Sequence, residues 1–102
     1  MSGFVKYTTP ANLVPKGYQQ LTSVSSSTAL TVPDGASVAY IQAEAQDARW
    51  RDDGTAPTAS VGQLLKAGFN SSPFIGDLTA LRFIEAASGL ILNVSYYATS
   101  GN

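Results

Sequence analysis

The chain has 102 residues, six Lys and Arg against seven Asp and Glu, a net charge of −1, and neither Cys nor His. One domain is all that this length holds, and 44% apolar residues suffice for a packed interior. The charge balance leaves no electrostatic footprint for nucleic acid, and the missing Cys and His remove disulfides, thiolate chemistry, the commonest general base and the commonest metal ligand.

Nothing in the chain reads as a membrane span or a secretory leader, so no membrane partner is expected. Charged residues are only 13% of the chain, about half the usual share for a soluble domain. That scarcity points to a surface laid against other protein. A monomer covered in Ser, Thr, Gln and Asn is the plain alternative.

Residues 1–17 read as an extended N-terminal arm. Pro10, Pro15 and Gly17 interrupt any periodicity, yet Phe4, Val5, Tyr7, Leu13 and Val14 are too apolar for a free tail. Such a segment packs either on its own domain or on a neighbour. Residues 18–102 read as a single β-domain. A strand over 18–24 is closed by Ser25-Ser26-Ser27, and one over 28–32 is stopped by Pro33-Asp34-Gly35. In that tripeptide Pro presets φ and Gly accepts a positive one.

From Ser37 to Gln46 the residues alternate, Ala39, Ile41, Ala43 and Ala45 forming the more apolar face, with Tyr40 at a rim. A short strand over 48–52 ends in the turn Asp53-Gly54, and 55–59 cross irregularly around Pro57. Strands over 60–66 and at Phe74-Ile75 follow. Residues 78–87 carry a helical alternative through Leu81, Ile84 and Glu85. The strand reading is preferred because the run is short, contains Phe83-Ile84 and ends in Ser88-Gly89. It puts Leu81, Phe83 and Glu85 on one face. Residues 90–97 give the cleanest half-buried strand, with Leu90, Leu92, Val94 and Tyr96 inward. About eight short antiparallel strands, with turn signals roughly every 8 to 12 residues, predict an all-β fold, a compact jelly-roll-like β-sandwich.

The candidate chemistry is sparse, and no catalytic, cofactor or metal residue is assigned. Asp47, Asp52, Asp53 and Gly54 lack the alternating ligands and distal Glu of a calcium loop, so a surface turn is the reading. Glu44 and Glu85 are conceivable as an acid pair only if one cleft holds both. Asn70-Ser71-Ser72 and Asn93-Val94-Ser95 match a glycosylation sequon, without weight in the absence of a leader. Tyr18, Tyr40, Tyr96 and Tyr97 could build a platform for a sugar ring, although the spacing alone does not make them converge.

Arg49, Trp50 and Arg51 are the densest signal, four charged side chains lying within the five residues from Arg49 to Asp53. Strand alternation gives the two Arg one face and Trp50 the other. Trp50 is expected in the core. The Arg pair either grips a partner, in the manner of interface hot spots, or pairs with the neighbouring Asp residues.

Residues 30–36 (Leu-Thr-Val-Pro-Asp-Gly-Ala), the string 41–58 containing Ala48-Arg49-Trp50-Arg51-Asp52-Asp53-Gly54-Thr55, and Leu92-Asn93-Val94-Ser95-Tyr96-Tyr97 resemble small structural proteins of tailed bacteriophages and prophages. The likeness covers about residues 28–98. It implies a non-enzymatic virion component made in the bacterial host cytoplasm, most simply a head decoration (cement) protein on the capsid surface. Such proteins are homotrimers that bind the major capsid protein, often through an N-terminal arm. Phe4, Val5 and Tyr7 of the arm suit that job as partner contacts, and the hot-spot reading above adds Arg49 and Arg51, the partners being further copies of the chain and the major capsid protein or another virion protein. A tail, neck or fibre-base part and a carbohydrate- or receptor-binding module are the alternatives.

Overall fold

Eight strands form among the described residues, 13–69 and 73–99, of the computed structural model. They are β1 (Leu13–Leu21), β2 (Thr28–Ala29), β3 (Val38–Glu44), β4 (Ala48–Arg51), β5 (Gln63–Leu65), β6 (Phe74–Ile75), β7 (Arg82–Glu85) and β8 (Ile91–Thr99). A single 3-10 turn, Leu78–Ala80, precedes β7. Asp77 caps it by accepting from the Thr79 backbone N–H at 3.0 Å, and hydrogen bonds from the Thr79 hydroxyl and N–H lower the Asp77 pKa.

The pairings are nested. β1 pairs with β8, β2 with β7, β3 with β6 and β4 with β5, all antiparallel, so the chain is a long two-stranded ribbon closed between β4 and β5. The ribbon is then rolled, because β8 also pairs with β3 and β7 with β4. Two four-stranded sheets result, in the orders β1-β8-β3-β6 (sheet A) and β2-β7-β4-β5 (sheet B). That wiring is a jelly roll.

Alternation along each strand puts the core between the sheets. Ala39, Ile41 and Ala43 of β3 and Leu92, Val94 and Tyr96 of β8 meet Ala48 and Phe83 from sheet B. Residues outside the strands, Val24, Leu30, Leu78, Leu81 and Leu90, complete the core. Fully burying a side chain such as Ile41, Leu92 or Phe83 contributes roughly 1.5–3 kcal/mol, so this layer dominates stability. The faces expected for the strands through Ile41, Phe83 and Val94 are those observed. Two alternating positions depart: Ala45 is exposed beyond the end of β3, and Val38 is buried.

The largest difference from expectation lies in β1. Residues 13–17, read as arm, belong to this strand, where Leu13 pairs with Thr99 and Pro15 with Tyr97. The register shifts between Pro15 and Gly17, leaving Lys16 as a bulge. β1 is an edge strand, so the missing N–H of Pro15 interrupts no inner ladder. Proline, an edge lysine and a bulge also discourage a second sheet from pairing there. The arm residues 1–12, with Phe4, Val5 and Tyr7, lie outside the described residues.

Candidate binding surface

Two surfaces gather the side chains that could meet a partner. The first is the outer face of sheet A. Because Val94 and Tyr96 point inward, Ser95 points outward, and its cross-strand neighbours are Tyr18 on β1 and Tyr40 on β3. Two residues along the strands lies the next row, Gln20, Asn93 and Gln42. Tyr97 meets Tyr40 edge-on, with ring centroids 5.7 Å apart. Tyr18 is 62% exposed.

Asn93 is the centre of this face. Its Oδ1 accepts from the Tyr18 hydroxyl at 2.5 Å and from Gln20 Nε2 at 2.9 Å. Its Nδ2 donates to Glu44 Oε1 at 2.8 Å and to Gln42 Oε1 at 3.3 Å. One amide therefore links three strands and uses both of its donors and two acceptor positions.

The second surface is the tip where the ribbon closes. Trp50 is half-buried against the core and meets Phe74 edge-on, with centroids 4.7 Å apart. Arg49 and Arg51 leave β4 on the opposite side. Arg49 Nη1 donates to the Gly62 carbonyl at 3.1 Å, while its Nε is buried and makes no hydrogen bond among the described residues. Arg51 forms a forked pair with Asp53, Nε to Oδ1 at 3.0 Å and Nη2 to Oδ2 at 2.5 Å. This fork holds the Asp53 carboxyl down at about 2 and raises the Arg51 guanidinium above its ordinary value.

The loop between the two strands is held by its own groups. Asp53 Oδ1 accepts weakly from the Thr55 N–H at 3.4 Å, Pro57 is buried, and Thr58 and Val61 exchange backbone hydrogen bonds at 2.9 and 3.3 Å. An open groove of about 360 Å³ runs beside it, lined by Arg51, Asp52, Asp53, Val61, Gly62 and Gln63. Much of the sequence string 49–62 thus has a structural task.

The structure brings Tyr18, Tyr40 and Tyr97 to one face and turns Tyr96 into the core, its hydroxyl donating to Gln19 Oε1 at 2.6 Å. Glu44 and Glu85 stand on different sheets, Glu44 opposite Ile91 in sheet A and Glu85 opposite Ala48 in sheet B. Asp47 is committed to the Ala67 N–H at 2.8 Å and to Lys66 at 3.7 Å. Among the described residues no three acidic side chains converge to hold a metal ion, and no helix is long and apolar enough to cross a membrane. Gln20 and Gln42 are not among the candidates the sequence offers, and Asn93 stands there only as part of a sequon. Only the register of β1 and β3 on β8 makes them neighbours.

No family model, no curated protein and no solved structure matches this chain.

Proposed function

We propose that the chain is a non-enzymatic virion structural protein, a capsid decoration protein that binds and stabilises an assembled phage head. The observation that carries this reading is the pairing of Leu13 with Thr99 at the end of an edge strand. Leu13, the first residue of β1, therefore stands at the rim of sheet A, the place from which an arm is proposed to contact a neighbouring subunit. A jelly roll is an architecture of viral capsid and lectin domains, which supports the reading by analogy of fold. So does the resemblance of residues 28–98 to tailed-phage structural proteins.

In this reading Phe4, Val5 and Tyr7 of the arm make contacts with neighbours, and Arg49 and Arg51 present the tip to the major capsid protein. The body is a homotrimer, since three weak attachments acting together bind far more tightly than one. Binding the assembled lattice and not free subunits raises the cost of disassembly.

The test is the location and effect of the chain on the particle. Antibody labelling of purified virions is expected over the head, and heads lacking the chain are expected to release DNA at a lower temperature. Labelling confined to the tail, neck or fibre base would replace the decoration reading with that of another virion part.

A further inference from the structure

The outer face of sheet A has a chemistry that attachment to a capsid does not call on. Tyr18 and Tyr40 flank Ser95 in one cross-strand row, two strands apart, which sets them roughly 10 Å from one another. The amide row of Gln20, Asn93 and Gln42 runs parallel to it, roughly 7 Å further along the strands. An exposed ring beside a strip of amides suits a ligand with apolar C–H faces and hydroxyl edges. Aromatic rings stack on the first, and amides both donate to and accept from the second.

The hydrogen bonds on the face leave usable groups outside. Asn93 spends its donors on Gln42 and Glu44 and accepts from Tyr18 and Gln20. Gln20 Oε1, Gln42 Nε2 and the second Glu44 oxygen carry no hydrogen bond among the described residues. All three residues are exposed, and each is held by its bond to Asn93. Side chains restrained in this way lose less freedom when a ligand arrives.

Charge narrows the ligand further. Glu44 is the one ionic side chain among the described outward positions of β1, β3 and β8, apart from Lys16, which lies at the bulge alongside Gly35. A face with a carboxylate and no facing cation repels anions and offers nothing to a phosphate or a sialic acid. We infer that this face binds a neutral oligosaccharide, with Tyr18 as the stacking platform and Gln20 and Gln42 as the groups that read its hydroxyls. The inference does not depend on the virion reading, because it rests on sheet A alone.

A glycan microarray carrying neutral and sialylated oligosaccharides, probed with the full chain, tests it. Saturable binding to neutral glycans is expected, with sialylated ones excluded. Tyr18→Ala is expected to weaken binding about tenfold or more, and Gln42→Ala by several-fold, the scale of one lost stacking or hydrogen-bond contact. Leu64→Ala, on the exposed edge of sheet B, leaves binding unchanged. Circular dichroism of each variant keeps loss of fold separate from loss of binding, and Gln42→Ala carries the test if Tyr18→Ala does not fold. No retention of any neutral glycan, a preference for sialylated ones, or undiminished binding in folded Tyr18→Ala would each overturn the inference.

Discussion

Arg49 Nη1 and the Gly62 carbonyl stand 3.1 Å apart, and this bond ties the first strand of the tip to the end of its own loop. Gly62 has φ +139, and a Cβ added there would lie 3.1 Å from the Trp50 carbonyl oxygen and 3.2 Å from Pro57 Cβ. Both neighbours are fixed, one by the β4 ladder and the other by burial. Gly62→Ala is therefore expected to destabilise the fold by about 1–3 kcal/mol, the cost of holding a side chain in a region that only Gly adopts readily. A urea midpoint that falls at unchanged slope is the expected result. An unmoved midpoint would mean that the tip does not constrain this position.

The Arg51–Asp53 fork predicts an acid titration and little change in stability. In the folded chain Asp53 ionises at about 2, chiefly through its hydrogen bond from Arg51. A depressed carboxylate contributes stability above its unfolded pKa and loses it as pH falls through the folded value. Asp53 should therefore stay ionised down to about pH 2, and Arg51→Ala should raise its pKa toward the ordinary aspartate value, the Thr55 N–H still holding it down in part. Carboxyl-carbon NMR across the acid range reads this directly. Because both groups are exposed, water and salt screen the pair, and the thermal midpoint of Arg51→Ala should barely move. A wild-type Asp53 that titrates normally would remove the fork.

How much of this was legible in the sequence depends on which contacts set each feature. The faces of β3 and β8 could be read because both strands are half-buried, so burial imprints a period of two around Ile41 and Val94. Only the second half of strand β1 could, because its first half carries Pro15 and a bulge at Lys16, which an edge strand tolerates and which read locally as breaks. Residues 78–87 split the difference. The helical signal around Leu78 is a single 3-10 turn, and the strand begins only at Arg82. The ladder centred on Asn93 was invisible, since Gln20, Gln42 and Asn93 are distant in sequence and meet only through register.

Tyr96 carries the alkaline counterpart. Burial in the core pushes its phenol up to about 12, and its hydroxyl donates to Gln19 Oε1, which also accepts from the Thr31 N–H at 3.1 Å. A phenol whose folded pKa lies above its unfolded value contributes stability that is complete below about pH 10 and is lost as pH rises toward 12. Denaturation melts should therefore show stability declining across that window. Tyr96→Phe should flatten this decline while costing about 1 kcal/mol at neutral pH for the lost hydrogen bond. A variant that keeps the wild-type alkaline slope would assign the effect to another group.

Ala45 offers a substitution in the opposite direction. It sits where the chain leaves β3 of sheet A for β4 of sheet B, and its φ is +74, the one positive value among the described non-glycine residues. The left-handed region costs a Cβ-bearing residue roughly 1–2 kcal/mol. Glycine removes that cost and adds about 0.4–1 kcal/mol of unfolded-chain entropy. Ala45 is exposed, so its methyl group leaves no cavity behind. The balance favours glycine. Ala45→Gly is expected to stabilise the fold by up to about 1 kcal/mol, seen as a higher urea midpoint without a change in slope. A lower midpoint would mean that the crossing from sheet A to sheet B relaxes to a negative φ in solution, where alanine carries no strain and the added entropy of glycine decides the outcome.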